Sequence, residues 1–279
     1  MKIRFISDIH YTDPRLLSES QAKAHDFYVK FVLDQLFSKP ADLYISMGDL
    51  INTGSELEIK NAYAWIAEHP EAAAKFHHLS GNHDLLLYDR SEWPDTYYKG
   101  NYFQSFAGFH ILYLETSRIK NRANYGGYIS AETISWVADT IEQTGDQPLL
   151  VFAHHPLKNT SRISWRKMMY VDEDCNLEAV LAKKKGTAFY VSAHNHCDSI
   201  LHSGQWTYLQ SACELEYPAI KNIEIDARQL SFYYEDLETP ELSAARAEFI
   251  TNIPDFSPFG SPAKGSILER QLYRKFSTK

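Results

Sequence analysis

The chain of 279 residues has a net charge of −8, and 44% of its residues are hydrophobic. This composition is typical of a globular protein that can build a large core without disulfides. The negative charge disfavours nonspecific binding to nucleic acid, which needs a basic face. No run of about 18 apolar residues predicts a membrane span.

Three cysteines, at positions 175, 197 and 213, are odd in number and widely spaced. This pattern favours reduced thiols and an intracellular setting. The first residues also lack the apolar core of a secretory signal, because a short strand-like run is soon followed by charged residues. We therefore expect a cytoplasmic protein.

The first eighty residues alternate between strand and helix patterns. Apolar runs predict strands over 1–7, 42–48 and 75–81, and apolar residues at helical spacing predict helices over 18–38 and 55–69. This order predicts neighbouring strands that run parallel, with helices on the faces of the sheet.

The pattern loosens in the middle of the chain. Residues 85–101 predict a long loop, and the runs over 101–106 and 109–115 predict a β-hairpin. A capped amphipathic pattern predicts a helix over 130–143, and a continuous apolar run predicts a buried strand over 148–153.

Residues 157–173 have no periodicity and predict a second long loop. A helix is predicted over 176–186, with Lys183–Lys185 as solvated charges at its negative end. The remaining strands are predicted over 187–193, 205–211, 219–225 and 229–235, and the last two form a hairpin.

The tail of the chain has a different character. A helix is predicted to begin at Thr239-Pro240, prolines and a glycine break the chain over 254–262, and a last short helix is predicted within 265–276. We therefore predict a main domain over 1–237 and a C-terminal helical appendage over 238–279 that packs on it.

Side chains that can bind metal follow five of the predicted strands. They are Asp8 and His10, then Asp49 and Asn52, then Asn82 and His83, then His154, and last His194 and His196. Each group alone is compatible with an ordinary loop, because Asp, Asn and Gly favour turns. Ligands of open α/β sheets bind at the carboxyl ends of the strands, so the repetition predicts one shared metal site.

The order and content of these groups resemble the calcineurin-like metallophosphoesterase family. The family pattern is Asp-x-His, Gly-Asp-x-x-Asp/Asn, Gly-Asn-His-Asp/Glu, a lone His and Gly-His-x-His, and matching blocks occur in that order between residues 8 and 196. The resemblance is closest to small cyclic-nucleotide and glycerophosphodiester phosphodiesterases, through Gly48–Asn52, Glu132–Trp136 and His154–Pro156. It implies an α/β fold of four layers, αββα, with two mixed β-sheets flanked by helices, and a catalytic role for 1–237.

The resemblance also implies two metal ions. Their ligands would be Asp8, His10, Asp49 and His196 for the first ion, and Asp49, Asn82, His154 and His194 for the second. Asp49 would bridge both ions. In the family pattern the first histidine of the His-x-Pro block is the ligand, which selects His154 over His155. Nitrogen and oxygen ligands of this kind suit iron, manganese or zinc.

The implied reaction is hydrolysis of a phosphate ester by a hydroxide that bridges the metals, with no protein nucleophile. His83 would bind phosphate or protonate the leaving group. Two residues depart from the common pattern, because Asn52 stands where many members have Asp and Ala193 replaces the Gly before His194. Asn52 can orient an imidazole but adds no charge to stabilise imidazolium, which predicts that His83 acts mainly as a neutral or weakly charged donor.

The substrate pocket is the least determined feature of the sequence. Besides Asn52, the loop residues that could contact a substrate are Arg162, Arg166 and Lys167 for phosphate oxygens, and Trp165, Trp93 and Tyr97 for a base or a sugar. The alternative, that these side chains are merely solvated, stays open.

We expect a phosphodiesterase that acts on a small diester. A phosphomonoesterase, including a protein or nucleotide phosphatase, is the alternative. A non-catalytic scaffold is disfavoured, because such members usually lose ligands and every implied ligand position is filled here. The expected partner is a small-molecule phosphate ester rather than a nucleic acid or a membrane, and the sequence predicts no oligomeric state.

Overall fold

The computed structural model describes residues 1–93, 97–260 and 263–276. Its strands are β1 (Lys2–Ile6), β2 (Leu43–Ser46), β3 (Phe76–His78), β4 (Tyr102–Phe106), β5 (Phe109–Leu114), β6 (Leu149–Ala153), β7 (Ala188–Ser192), β8 (Ser199–Ser203), β9 (Trp206–Gln210), β10 (Ala219–Ile225), β11 (Gln229–Asp236) and β12 (Gln271–Lys275). Its α-helices are α1 (Glu19–Phe37), α2 (Glu56–Ala67), α3 (Pro70–Ala73), α4 (Ala131–Thr144), α5 (Leu177–Leu181), α6 (Pro240–Phe249) and α7 (Ile267–Arg270). Pro94 of the predicted loop and the chain-breaking Pro262 lie outside the described residues. No helix within the described ranges is both long and apolar enough to cross a membrane.

The strands form two mixed sheets of six strands. The first has the order β12-β11-β10-β1-β2-β3, and the second has the order β4-β5-β6-β7-β9-β8. Strands β1, β2 and β3 run parallel, and so do β5, β6, β7 and β9. The two predicted hairpins, β4–β5 and β10–β11, are confirmed as antiparallel pairs. Because the carboxyl ends of parallel strands share one edge of a sheet, loops from different strands meet there.

Helices cover the outer face of each sheet. Side chains along a strand alternate between its two faces, and those of Ile3 and Phe5 on β1 lie in the core between the sheets. There the ring of Phe5 lies 6.2 Å from that of Phe152 and 6.2 Å from that of Phe232. Helices α1, α2 and α6 pack on the far side of the first sheet, and α4 and α5 pack on the far side of the second. These four layers confirm the αββα fold that the resemblance implied.

Side-chain caps determine where three predicted helices begin. Ser18 and Gln21 form a reciprocal capping box at the start of α1. The hydroxyl of Ser130 accepts a hydrogen bond from the backbone N–H of Thr133 at the start of α4, and Thr239 caps α6 in the same way. Each cap satisfies a backbone donor that has no partner within its helix, which confirms the predicted starts.

The helix predicted over 176–186 is wrong in length, because α5 ends at Leu181. Lys184 lies beyond the helix and is only 2% exposed. Its Nζ donates to the backbone carbonyl oxygens of Gly145 and Gln147, each at 2.8 Å. The lysine run therefore contains a buried cation that joins the segments after α4 and α5, rather than three solvated charges.

The last helix predicted within 265–276 is mostly wrong. Only the single turn of α7 is helical, and the chain then extends as β12 along the edge of the first sheet, antiparallel to β11. Leu272 of β12 packs against the core between the sheets, so pairing and burial outweigh the helical pattern. The tail thus adds a strand as well as helices, while the division into 1–237 and 238–279 stays a prediction.

Candidate metal centre

The side chains predicted to bind metal lie together where strand ends of both sheets meet. They are Asp8 and His10 after β1, Asp49 after β2, Asn82 after β3, His154 after β6, and His194 and His196 after β7. All are buried except His196, which is partly exposed. The structure brings all seven into one site, and their role as ligands stays a prediction.

Five of these residues have a left-handed backbone conformation. The φ angle is 52° at Asp8, 50° at His10, 51° at Asp49, 67° at His194 and 53° at His196. This conformation is uncommon outside glycine and costs about 1–3 kcal/mol per residue, which the surrounding structure must offset. Backbone hydrogen bonds hold part of it, since the N–H of Asp8 donates to Gly48 at 3.0 Å and that of His10 donates to Asp49 at 2.9 Å. Such strain gathers at functional sites.

The carboxylate of Asp49 lies between two groups of imidazoles. Its Oδ2 is 3.4 Å from Nε2 of His154 and 4.0 Å from Nε2 of His10. Its Oδ1 accepts a hydrogen bond from the backbone N–H of His83 at 2.7 Å. A Cβ at Gly81 would overlap Oδ1, so the glycine of this sequence block allows the close approach. One oxygen of Asp49 is thus directed at both halves of the site.

The first half of the site contains Asp8, His10 and His196. Nε2 of His196 lies 3.5 Å from Oδ1 of Asp8 and 3.2 Å from Nε2 of His10. Nδ1–H of His10 donates to the side-chain oxygen of Asn52 at 3.2 Å, which leaves Nε2 with its lone pair. Oδ2 of Asp8 is buried and has no hydrogen-bond partner among the described residues. A bound cation would satisfy the unpartnered oxygen of Asp8 together with the lone pair of His10.

The second half of the site contains Asn82, His154 and His194. Oδ1 of Asn82 lies 3.2 Å from Nε2 of His154. Nδ1–H of His154 donates to the carbonyl of Met47 and Nε2–H of His194 donates to the carbonyl of Met168, both at 2.9 Å. Because these carbonyls fix which nitrogen carries the proton, Nε2 of His154 and Nδ1 of His194 are the nitrogens left to bind a metal.

His155 is adjacent to the site, but both of its ring nitrogens have protein partners. Nε2–H donates to the carbonyl of Tyr125 at 2.9 Å, and Nδ1 lies 2.8 Å from the hydroxyl of Thr116, which donates to it. This hydrogen bonding leaves no lone pair of His155 for a metal and supports the choice of His154 over His155.

Protonation in the site reflects burial and the mutual charges. Burial raises the pKa of Asp49, but the charges of His154 and His83 outweigh it and hold that pKa well below its usual range. Burial lowers the pKa of His194 to about 3, so its imidazole is neutral, as a metal ligand must be. Burial lowers the pKa of His154, but the carboxylate of Asp49 outweighs burial and raises it to about 9. A metal ion would therefore displace a proton from His154.

The donor atoms fit the metals that the resemblance implied. Carboxylate and amide oxygens with imidazole nitrogens suit iron, manganese or zinc. The thiol of Cys213 also lies near His10 and His196. Its Sγ–H donates to the carbonyl of Asp8 at 2.9 Å, and burial raises its pKa well above the ordinary value, so it is a protonated hydrogen-bond donor. The oxygen and nitrogen set of the described site therefore suits two metal ions.

His83 lies beside Asp49, and the backbone of Asn52 orients it. Nδ1–H of His83 donates to the main-chain carbonyl of Asn52 at 2.6 Å, which leaves Nε2 for a substrate. The side chain of Asn52 has other partners, because Oδ1 accepts from His10 and Nδ2 donates to the carbonyl of Pro254 at 2.8 Å. The expectation that the Asn52 amide orients His83 is therefore corrected, because the amide orients His10. The expected contact of Asn52 with a substrate stays a prediction.

A cleft of about 500 Å³ opens in front of the site. His83 and several predicted ligands form its floor. The apolar side chains on its walls are Leu86, Tyr125, Ile163, Met169 and Phe259. Among the described residues that line it, Arg122 is the only arginine or lysine. A cleft of this volume suits a small molecule.

The two arginines expected to bind phosphate lie outside this lining. The guanidinium of Arg162 pairs with Glu269 at 2.6 Å, and Arg166 is exposed. Their loop presents Ile163 and Met169 to the cleft instead. The other expected contacts that lie outside the described lining are Lys167, Trp165, Trp93 and Tyr97.

Sequence reasoning missed Arg122 and Tyr125. Both belong to the segment between β5 and α4, which has no periodicity and no ligand motif. The sequence contained one signal for this segment. It follows β5, which runs parallel to β6, and β6 is followed by His154. Loops after parallel strands reach the same edge of the sheet, so the segment was a candidate wall of the site.

Comparison with known proteins agrees with this geometry. A family model described as calcineurin-like phosphoesterase matches residues 1–198. No curated protein matches the chain significantly. A solved dimetal phosphatase from Danio rerio has a TM-score of 0.64 at 12% identity, with 85% of this chain and 96% of that chain covered. A purple acid phosphatase from yellow lupin seeds has a TM-score of 0.54 at 11% identity, with 85% and 51% covered.

GAP50, described as the anchor in the inner membrane complex of Plasmodium, has a TM-score of 0.51 at 11% identity, with 95% of this chain and 99% of that chain covered. At such low identity these likenesses show the fold. The family model matches most of the chain, including every predicted ligand. This chain therefore belongs to the calcineurin-like phosphoesterase family.

Proposed function

We propose that this protein is a dinuclear-metal phosphodiesterase that hydrolyses a small diester, such as a cyclic nucleotide or a glycerophosphodiester. The charge of the cleft carries the proposal. Arg122 is the only arginine or lysine on the described lining, and the carboxylate of Asp255 lies 2.7 Å from it. A phosphodiester carries one negative charge, whereas a monoester carries about −1.5 to −2 near pH 7. Beyond the metal site, the described cleft offers little to balance the additional charge of a monoester.

The apolar walls of the cleft support the same choice. Both ester oxygens of a diester carry organic substituents, which are two groups in a glycerophosphodiester and one ring system in a cyclic nucleotide, and these substituents need a surface to pack against. Leu86, Ile163 and Met169 provide aliphatic surface, and Tyr125 and Phe259 provide aromatic surface. Ligand sites of this kind combine apolar walls with a few placed polar groups.

We propose that two metal ions bind at the floor of the cleft and that they are iron, manganese or zinc. Their proposed ligands are Asp8, His10, Asp49 and His196 for one ion and Asp49, Asn82, His154 and His194 for the other. When bound, such ions activate water and polarise a phosphoryl group. The part of Asp49 is to direct one carboxylate oxygen at both positions while the backbone of His83 holds the other oxygen.

His83 is the proposed proton donor to the leaving alcohol. Its Nδ1–H is held by the carbonyl of Asn52, so a proton can be delivered only from Nε2. A carbonyl orients the ring but, unlike a carboxylate, adds no full charge to stabilise imidazolium. His83 should therefore matter most for leaving groups that cannot depart without a proton.

One pair of assays tests the proposal. With manganese added, the protein should hydrolyse bis(p-nitrophenyl) phosphate at least about tenfold faster than p-nitrophenyl phosphate, a difference of about 1.4 kcal/mol in barrier. Both substrates release the same leaving group, so the ratio reports diester against monoester. The reverse preference would overturn the proposal in favour of a phosphomonoesterase. A panel of natural diesters that includes cyclic nucleotides would then identify the substrate.

Paired substitutions test the site itself. Asp49→Ala should lose both bound manganese and diester hydrolysis, because it removes the oxygen shared by the two halves. Asp42→Ala removes an exposed carboxylate at the start of β2 and should lose neither. Full metal content and activity in Asp49→Ala would exclude the proposed centre.

A further inference from the structure

Residues 253–260, which we call the tail segment, border the cleft at a defined position. The carboxylate of Glu216 accepts hydrogen bonds from the backbone N–H groups of Phe259 at 2.7 Å and Gly260 at 2.8 Å. Near the start of the segment, the carbonyl of Pro254 accepts a side-chain hydrogen bond at 2.8 Å. The tail segment is therefore anchored near both ends.

Between these anchors the tail segment contacts the first half of the metal centre. The ring of Phe256 lies 5.0 Å from that of His10 and 5.4 Å from that of His196, and it is inclined by 28° to the latter. Because both imidazoles are proposed metal ligands, the tail segment forms a wall of the reactive site rather than a remote appendage.

The tail segment also makes an ion pair at the cleft. Nη1 of Arg122 lies 2.7 Å from Oδ2 of Asp255, although the two residues are 133 positions apart in the chain. Both side chains line the cleft, and they are 55% and 61% exposed. An ion pair this exposed contributes little to stability, because water solvates both partners. The guanidinium can therefore exchange its carboxylate partner for another anion.

We propose that Arg122 binds a non-bridging oxygen of the substrate phosphate and that Asp255 is a built-in competitor which the substrate displaces. The inference rests on the proposed function, since it concerns the phosphate of that substrate. The planar guanidinium matches phosphate and carboxylate geometry equally well. Asp255 thus holds Arg122 at the cleft before a substrate enters, and it lowers the affinity for every anionic ligand.

The ion pair of Arg122 and Asp255 also favours diesters over monoesters. A carboxylate next to Arg122, the only arginine or lysine of the described lining, penalises ligands that approach with excess negative charge. A diester monoanion has less repulsion to overcome than a monoester. Removal of Asp255 should therefore improve the binding of phosphate ligands, and removal of Arg122 should weaken it.

Calorimetric titration of the manganese-loaded full chain with inorganic phosphate tests the proposal. Arg122→Gln should weaken phosphate binding about tenfold, equal to about 1.4 kcal/mol. Asp255→Asn should strengthen it about threefold or more, because the competing charge is gone. In the Arg122→Gln background, Asp255→Asn should give a smaller gain, since the competition needs both partners and only the direct repulsion between Asp255 and phosphate is left to remove.

Matched controls come from another exposed ion pair. Lys23 and Glu19 pair on α1 with side-chain exposures of 75% and 85%. Lys23→Gln and Glu19→Gln change the net charge by the same amounts as the test variants and should leave phosphate affinity unchanged. Equal gains in Glu19→Gln and Asp255→Asn would show an effect of net charge alone and would overturn the proposal.

The remaining outcomes separate this proposal from the proposed function. Unchanged phosphate affinity in Arg122→Gln or in Asp255→Asn would overturn the inference even if the protein hydrolyses diesters, and so would a wild type that binds no phosphate. Opposite shifts in the two variants would support it even if only monoesters are hydrolysed. The KM for bis(p-nitrophenyl) phosphate should move in the same directions, with kcat changed less.

Discussion

The carboxylate of Asp84 accepts a hydrogen bond from the backbone N–H of Asp49, with 2.8 Å between Oδ2 and N. The same carboxylate accepts from the N–H groups of Ile51 at 3.0 Å and Gly81 at 2.7 Å. Asp84 is completely buried, so it links the segment after β2 to the segment after β3 from within the protein. It holds the left-handed turn at Asp49 and is a positioning residue for the proposed bridging ligand.

Asp84→Asn should weaken metal binding. An amide places its own N–H group against backbone N–H donors, which leaves a buried donor unpaired. We expect the Kd for manganese to rise about 10–100-fold, as for other residues that orient metal ligands, together with a lower Tm. Calorimetry and thermal unfolding would measure both.

Asp42→Asn is the matched control, because Asp42 is an exposed carboxylate that accepts a backbone N–H from Lys2 at 2.7 Å. It should change neither quantity. Unchanged manganese affinity in Asp84→Asn would show that Asp84 does not position the site.

The adjacent histidines 154 and 155 should respond differently to substitution. His154→Gln should lose the second metal ion, because Nε2 of His154 is the nitrogen that faces Asp49 and Asn82. His155→Gln should keep both ions, because the nitrogens of His155 already bind Thr116 and Tyr125. Metal content per chain after dialysis, measured by elemental mass spectrometry, tests this. The opposite result would show that His155, and not His154, is the metal ligand.

His83→Ala should show a loss of rate that depends on the leaving group. With an alkyl leaving group, kcat should fall about 10²–10⁴-fold, the usual contribution of a general acid. With p-nitrophenolate, which departs without a proton, the loss should be much smaller. Rates for diesters of graded leaving-group pKa measure the difference. Equal losses across the series would mean that His83 binds phosphate but does not donate a proton.

His25 should make the protein sensitive to acid. Its ring stacks on Tyr11 at 5.5 Å and meets Phe249 at 4.7 Å, and neither ring nitrogen has a hydrogen-bond partner among the described residues. Burial lowers the pKa of His25 to about 3. The unfolded chain takes up a proton near pH 6.5 that the folded protein excludes, so stability is lost as the pH falls below about 6.5, by up to about 1.4 kcal/mol per pH unit.

His25→Phe removes this proton uptake and keeps the ring stack. It should be more stable than the wild type at pH 7, by about 1–3 kcal/mol for a buried unpaired polar group, and the advantage should grow at pH 5. Urea unfolding at both values measures it. His202→Gln, which alters an exposed histidine bonded to Thr207, should show no such growth. An advantage that shrinks toward pH 5 would contradict the role of His25.

Some details of the fold follow from packing and not from local pattern. Lys184 belongs to a lysine run that predicts solvated charge, yet carbonyls from the segment after α4 surround its Nζ. Leu272 lies in a helical pattern, yet an open sheet edge and the core between the sheets place it in a strand. In both cases a partner distant in sequence supplies the deciding free energy, and local propensity is a weak prior against it.

The sequence by itself determined which residues to expect at the candidate metal centre. Strand periodicity located the elements, and the residue types at the strand ends predicted that Asp8, Asp49 and His154 lie close together. The structure places them where strand ends of two sheets meet. Only the tertiary structure showed that Arg122 pairs with Asp255. It also showed that the side chain of Asn52 donates a hydrogen bond to Pro254, which lies 202 positions further along the chain. These contacts join loops that have no periodicity in the sequence. The positions of these loops are fixed only when the two sheets pack together and the tail segment packs beside the site.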